Sequence, residues 1–176
     1  PHFAISRMGS GSHLMSYLLA QRENWSSDTL DFTIVDTLEG AVEELQKEDG
    51  ANLFLWEKHM TQPLVEQGIF KLLGTISGDW PSFVLVATPE ALNNKVPALK
   101  EMLGVINNYT IHFRQIPLIE RTIATAYGLD KATVQEWLGQ VRFTQRQIDS
   151  AHLSHLMQSL KAVSYTHLTL PTNREV

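Results

Sequence analysis

The chain has no cysteine among its 176 residues, which excludes disulfide bonds, thiolate metal sites, iron–sulfur clusters and a cysteine nucleophile. It has no run of basic residues either: 14 lysines and arginines stand against 19 aspartates and glutamates, for a net charge of −5. This balance argues against nucleic acid and anionic membranes as partners. Its apolar runs are too short for a membrane span, so we expect no direct membrane insertion. A hydrophobic content of 43% is ordinary for one globular core or two small lobes.

Strand and helix patterns alternate in the first half of the chain. In the first helix, Leu14, Leu18 and Leu19 have the spacing of a core-facing stripe. Such alternation predicts βαβ units and an α/β fold with a largely parallel sheet. Strands are predicted at 2–6, 32–35, 52–56, 69–76 and 82–87, and helices at 12–23, 37–50 and 57–67, the last interrupted by Pro63.

After Thr88 the pattern becomes entirely helical. Gly128 is placed to end one helix and Asp130 to begin the next, while residues 144–147 have the form of a capping box. The change at about residue 88 is the one boundary that the sequence indicates. Helices are predicted at 96–107, 116–127, 131–140 and 145–163.

A glycine- and serine-rich turn between the first strand and the first helix is the sharpest functional signal. Glycines allow the backbone to approach a ligand closely, and the free amides of a helix N-terminus suit an anionic group. Serine hydroxyls and an arginine add further donors. The alternative is a capped helix start in which Ser12 serves only as the N-cap. The residues of this turn are Ser6, Arg7, Gly9, Ser10, Gly11, Ser12 and His13.

Aromatic residues provide two further candidates. Trp56 and Glu57 follow the third predicted strand, so they share the carboxyl edge of the sheet with the Gly-Ser turn. An aromatic face beside a carboxylate suits a flat, nitrogen-bearing or cationic ligand. A core tryptophan followed by a helix-start glutamate is an equal alternative. Trp80, before Pro81, is either a rim aromatic or part of a stiff turn.

Two other chemistries have weaker support. Gly9 and Gly11 match the first two glycines of a dinucleotide fingerprint, and Asp36 could serve as its ribose-binding acid, but Leu14 stands where the third glycine belongs. His152 and His155 are three residues apart on one predicted helix, a spacing that some metal sites use. Without a nearby pair of carboxylates they indicate no metal site.

Four sequence blocks together resemble the type 2 periplasmic-binding-protein fold. The blocks are 5–15 with its Ser-Arg-x-Gly-Ser-Gly-Ser-His core, Phe-x-Trp-Glu at 54–57, Gly-x-Ile at 74–76 and Trp-Pro-Ser-Phe at 80–83. The resemblance covers about residues 2–163. It is to a branch related to the substrate-binding proteins of sulfonate, nitrate and thiamine-precursor ABC transporters, in which two α/β lobes close over a small ligand.

The resemblance implies a particular division of the chain. Residues 1–82 would form the second α/β lobe, and residues 83–163 would supply a crossover strand and the C-terminal helices of the first lobe. The sheet of that first lobe would precede Pro1, so the helices after Val96 should expose apolar surface. Residues 164–176 resemble the translated read-through of a sequencing adapter and form a non-native tail, the alternative being a genuine extension.

The implied function is that of a truncated, non-enzymatic solute-binding protein of the ABC-transporter type. It would bind a small anionic or polar heterocyclic ligand between its lobes, with an ABC permease as a partner and without a cofactor. Relatives are mostly extracytoplasmic, but cytoplasmic members leave the localisation open. One alternative is an enzyme of the same fold acting on a pyrimidine-like molecule, although its known relatives use a cysteine-rich iron motif. The other is a dinucleotide-dependent oxidoreductase.

Overall fold

The computed structural model describes residues 1–78 and 80–162. The chain divides into two compact units: the described residues of 1–78 and 148–162 form the first, and Trp80–Gln147 is the second. Short 3-10 helices lie at Ser27–Thr29 and Phe113–Gln115. The strands are β1 (His2–Ile5), β2 (Asp31–Ile34) and β3 (Leu53–Phe54), and the helices are α1 (Gly11–Arg22), α2 (Leu38–Leu45), α3 (Lys58–Glu66), α4 (Pro89–Asn94), α5 (Val96–His112), α6 (Ile119–Tyr127), α7 (Lys131–Gln140) and α8 (Ser150–Ala162).

The sheet of the first unit is parallel, with the strand order β2-β1-β3. In its register Phe3 lies opposite Phe32 on one side and Leu53 on the other. The central strand buries Phe3, Ala4 and Ile5 completely, as expected for an uninterrupted apolar run inside a parallel sheet. The predicted α/β fold with a parallel sheet is therefore confirmed.

Helix α1 faces the core with small and polar residues rather than with its leucines. The buried positions are Ser12, His13, Ser16 and Ala20, which recur at helical spacing. Leu14, Leu18 and Leu19, the predicted core stripe, are only half-buried. Small side chains let a helix lie close to its neighbour, and Ser16 satisfies its hydroxyl within the helix by donating to the His13 carbonyl at 2.6 Å.

Helix α2 is fixed at its start by a close backbone contact and at its end by hydrogen bonds to a buried carboxylate. At its start, a Cβ on Gly40 would lie 2.2 Å from the Val35 carbonyl oxygen, so only glycine fits there. At its end, the buried Glu44 carboxylate accepts from the Ala51 amide at 3.2 Å and from the Lys47 ammonium at 2.7 Å. These bonds hold the pKa of Glu44 below its ordinary value of 4.5, with the Lys47 hydrogen bond as the larger cause.

Several local predictions were wrong. Within the described residues, 69–76 and 82–87 form no strand, so the crossover strand expected at the start of segment 83–163 is absent. A strand needs a neighbouring strand for its amides and carbonyls, and the side chain of Phe83 is 94% exposed. Helix α3 continues through Pro63, whose carbonyl accepts from Gln67 at 3.1 Å.

In the helical unit the predicted range of α7 is confirmed, and so are the two caps predicted around the turn before it. Gly128 ends α6 with φ +63°, and Asp130 accepts from the amides of Ala132 and Thr133.

The predicted capping box at 144–147 was wrong. Helix α8 begins at Ser150, and Asp149, the residue before it, accepts from the His152 amide in its first turn. Residues 163–176, including the predicted non-native tail, lie outside the described residues.

The helices after Val96 expose apolar side chains, as the resemblance implied. Val105, Tyr109 and Ile111 of α5 are all more than half exposed. In α7, Val134 is fully buried, and Thr133 and Leu138 are nearly so. No helix in the described ranges is long and apolar enough to cross a membrane.

Candidate functional site

The carboxyl edge of the parallel sheet gathers the residues that follow its three strands. Ser6 and Arg7 follow β1, Asp36 comes two residues after β2, and Trp56 follows β3 by two residues. Because all three strands run in the same direction, these residues belong to one edge. In open α/β sheets this is the edge at which ligands bind.

The serine hydroxyls of the turn after β1 bond to one another. Ser12 Oγ accepts from the Ser6 amide at 3.0 Å and lies 2.9 Å from Ser10 Oγ, with Ser6 Oγ at 3.5 Å. Ser10 and Ser12 are buried. The hydroxyls of Ser10 and Ser12, which were expected to contact a ligand, therefore form buried hydrogen bonds that stabilise the turn.

The N-terminus of α1 is capped by Ser10 rather than by Ser12. Ser10 Oγ accepts from the His13 amide at 3.3 Å, and the Ser10 carbonyl accepts from Leu14 at 3.0 Å. Of the amides in the first turn of α1, that of His13 is thus already used by the cap. The amides of Gly11 and Ser12 have no acceptor within the described part of the chain, as is usual at a helix start.

Gly11 borders open space. A Cβ at this exposed position would meet nothing within 4 Å, and its φ lies outside the left-handed region. The start of α1 therefore combines the positive end of the helix dipole with two amides that lack an acceptor in the described part of the chain, next to the exposed position of Gly11.

The buried side chain of His13 stabilises the turn by a hydrogen bond and by ring contacts. Its Nδ1 accepts from the Gly9 amide at 3.1 Å, and its ring makes edge contacts with Phe32 at 4.8 Å and Tyr17 at 5.2 Å between ring centroids. Gly9 has φ +78°, which a side chain would strain. His13 is buried, so its imidazole positions the turn instead of lining the open edge.

Two charged residues at the edge are exposed. Arg7 uses its carbonyl to accept from the Ser10 amide at 3.1 Å, and its guanidinium has no ion-pair partner among the described residues. Asp36 has φ +57°, and its amide donates to the Ser6 carbonyl at 3.2 Å. Sequence reasoning gave Asp36 a role only in a dinucleotide site. Its position directly after a strand was the signal that it belongs to this edge.

The aromatic candidates Trp56 and Trp80 belong to different compact units. Trp56 stacks on Phe54 with ring centroids 5.2 Å apart, and 39% of it remains exposed at the edge. Glu57 caps α3, since its Oε2 accepts from the Met60 amide at 2.8 Å. Trp80 is part of the second compact unit, Trp80–Gln147, and its place relative to this edge stays a prediction.

Neither a metal centre nor a dinucleotide fingerprint is assembled in the described ranges. No three histidine, aspartate or glutamate side chains there come together as metal ligands, and this includes His152 and His155 on α8. The third glycine position of the fingerprint is Leu14, inside the first turns of α1. The chemistry available at the edge is hydrogen bonding from amides, a cation, a carboxylate and an aromatic face.

Comparison with known proteins identifies the fold of this chain as that of the type 2 periplasmic binding proteins. Residues 2–76, which include the whole sheet and the candidate edge, match the sequence model of the Ca3427-like PBP family. No curated protein matches the sequence.

A solved structure is similar to this chain over nearly its whole length. It is that of the conserved Candida albicans CA3427 gene product, described as defining a new family of proteins with the generic periplasmic binding protein fold. The two are 21% identical with a TM-score of 0.83, and the match covers 94% of this chain and 57% of the Candida chain. The chain therefore spans a little over half of the length of that protein.

Proposed function

We propose that this chain is the ligand-holding part of a solute-binding protein and that it binds a small anionic or polar ligand at the carboxyl edge of its sheet. One observation carries the proposal: the amides of Gly11 and Ser12, at the positive end of α1, have no acceptor among the described residues, and Gly11 borders open space. The fold supports it, because it is generic to binding proteins.

The residues around the start of α1 and Trp56 have separate roles in this proposal. The amides of Gly11 and Ser12 bind the anionic group, and the Arg7 guanidinium adds a charged donor from the exposed side. Trp56 offers a stacking face. The hydroxyls of Ser10 and Ser12 and the ring of His13 keep the amides in place and do not contact the ligand.

The proposal extends to the rest of the protein. We infer that the helical unit belongs to the opposite lobe, as the apolar surface of α5 and the 57% coverage of the Candida chain support. Closure of two lobes over the ligand would exclude water and strengthen the hydrogen bonds at α1. A transport role with an ABC permease follows from the resemblance to solute-binding proteins and belongs to the same proposal.

The test adds a negative charge at the site without disturbing the fold. Gly11→Asp introduces a carboxylate at an open position at the start of α1, where it repels an anion. Gly104→Asp is the matched control, because Gly104 lies on α5 and a Cβ there also meets nothing within 4 Å. The amide resonances of both variants and of the unmodified chain are followed by NMR during titration with ethyl phosphate.

We expect millimolar binding that shifts the amides of Gly11 and Ser12 in the unmodified chain and in Gly104→Asp. In Gly11→Asp the affinity should fall at least about fivefold, since a like charge now occupies the site. Equal titration curves for the two variants, or shifts confined to other parts of the chain, would overturn the proposal.

A further inference from the structure

A cavity of about 600 Å³ lies within the second compact unit, Trp80–Gln147. Its walls come from the 3-10 helix Phe113–Gln115 and the residues after it, and from the starts of α6 and α7. The volume falls in the range of small-molecule sites, roughly 300–1,000 Å³. Half of the lining is apolar and consists of Ile116, Leu118, Ile119 and Ala124. This wall offers a hydrocarbon group a surface on which to leave water.

The polar half of the lining carries more positive than negative charge. Arg114, Arg121 and Lys131 line the cavity together with one carboxylate, that of Glu120. Glu120 Oε2 lies 3.5 Å from the Lys131 ammonium and accepts from Gln135 Nε2 at 3.2 Å. Because the charges of Glu120 and Lys131 offset one another, the two guanidinium groups leave the cavity with an excess of positive charge.

The two arginines differ in how they are held. Arg114 Nη2 donates to the Val141 carbonyl at 2.6 Å, which anchors this side chain to the end of α7. Arg121 lies in the first turn of α6, is exposed, and has no hydrogen-bond or ion-pair partner among the described residues. An oxyanion can therefore pair with Arg121 without breaking a bond inside the protein.

We propose that this cavity binds a small amphipathic anion, in which a phosphate or carboxylate group is joined to a short hydrocarbon chain. The oxyanion pairs with the guanidinium groups of Arg121 and Arg114. The hydrocarbon chain covers the apolar wall at Ile116 and Leu118. The cavity belongs to the second unit and the candidate edge to the first, so this proposal is independent of the proposed function.

The test uses three probes that separate the two parts of such a ligand: hexyl phosphate, inorganic phosphate and hexyltrimethylammonium. Arg121→Gln removes the guanidinium and keeps a polar side chain. Arg146→Gln is the matched control, because Arg146 is also exposed and in the second unit but does not line the cavity. The amides of Ile119, Ala124 and Lys131 are followed by NMR during titration of the unmodified chain and both variants.

We expect hexyl phosphate to shift these amides and to bind at least about tenfold more tightly than inorganic phosphate, as burial of roughly two methylene groups allows. In Arg121→Gln its affinity should fall about threefold to fivefold, as an exposed charge pair allows, and in Arg146→Gln it should not change. Added salt should weaken binding to the unmodified chain. Hexyltrimethylammonium should bind at least about fivefold more weakly than hexyl phosphate, since the excess charge of the cavity repels it.

Each part of the proposal has a result that overturns it. Equal affinities for hexyl phosphate and hexyltrimethylammonium, or for Arg121→Gln and Arg146→Gln, would show that the arginines do not select an anion. Equal affinities for hexyl phosphate and inorganic phosphate would show that the apolar wall takes no part. Shifts confined to residues outside the cavity, including those at the start of α1, would exclude the cavity as the site and leave the proposed function intact.

Discussion

The two units of the molecule differ in how they bury short apolar segments of similar composition. In the first unit the run Phe3–Ile5 is completely buried at the centre of a parallel sheet. In the second unit the apolar run at 82–87 has no strand beside it among the described residues, and Phe83 and Val86 are 94% and 90% exposed. An apolar run predicts burial only where the fold supplies a neighbour on each side.

The largest expected difference between the units comes from truncating one phenylalanine in each. Phe3→Ala removes a fully buried ring that stacks on Phe32 at 6.1 Å, and it should lower the free energy of unfolding by about 3–5 kcal/mol. Phe83→Ala removes an exposed ring and should change it by less than about 0.5 kcal/mol. Urea unfolding measures both, followed by NMR intensities of the β1 amides for the first unit and of the α7 amides for the second.

Comparable losses in the two variants would contradict this comparison, since they would require Phe83 to be buried in solution. Unchanged unfolding of Phe3→Ala would show instead that the sheet is not the core of the first unit.

A smaller difference is expected between two glycines. Gly40→Ala places a Cβ 2.2 Å from the Val35 carbonyl oxygen, so the start of α2 must move away from the end of β2, at a cost of about 1–3 kcal/mol. Gly104→Ala on α5 meets nothing within 4 Å and should stabilise the helix by roughly 0.5–1 kcal/mol. Thermal unfolding by circular dichroism should show opposite signs. Stabilisation by Gly40→Ala would show that the two elements are not in contact.

The smallest effect is a pH dependence that differs between the units. In the first unit, the pKa of Glu44 is lowered from 4.5, first by the Lys47 hydrogen bond and then by the Ala51 amide. In the second unit, the pKa of Asp130 is lowered from 3.8, chiefly by the Thr133 hydroxyl. A carboxylate with a lowered folded-state pKa stabilises the protein above its unfolded pKa, and this contribution is lost as the pH falls through the folded value.

We therefore expect the stability of the first unit to fall below about pH 4.5 and the Asp130 contribution to persist to lower pH. Glu44→Gln should flatten the loss in the first unit, and Asp130→Asn the loss in the second. Urea midpoints between pH 6 and pH 3 measure the difference. An identical acid dependence of the unmodified chain and Glu44→Gln would contradict the assigned role of Glu44.

Local sequence signals predicted the elements that depend on local chemistry. The range of α7 is confirmed at both ends, because Asp130 caps its start and its pattern is strongly helical. The central strand followed from an apolar run next to a glycine-rich turn. The type 2 periplasmic-binding-protein fold was predicted from four sequence blocks, three of which lie in the segment that matches the family model, residues 2–76.

The features that sequence did not predict depend on distant neighbours. The inward-facing serines were expected to bind a ligand, because nothing local indicates that Ser12 Oγ lies beside the Ser6 amide. The core face of α1 was assigned to leucines, since periodicity cannot show that close packing on a sheet favours serine and alanine. Residues 82–87 have the composition of a strand, but composition does not supply a pairing partner.

The network behind the Gly-Ser turn has a thermodynamic consequence for any molecule that binds there. Three serine hydroxyls and one imidazole immobilise the loop in advance, so little conformational entropy remains to be lost when an oxyanion arrives. In the proposed function this turn therefore needs no rearrangement of its own on binding, and differences in affinity between ligands should appear mainly in the lifetime of the complex.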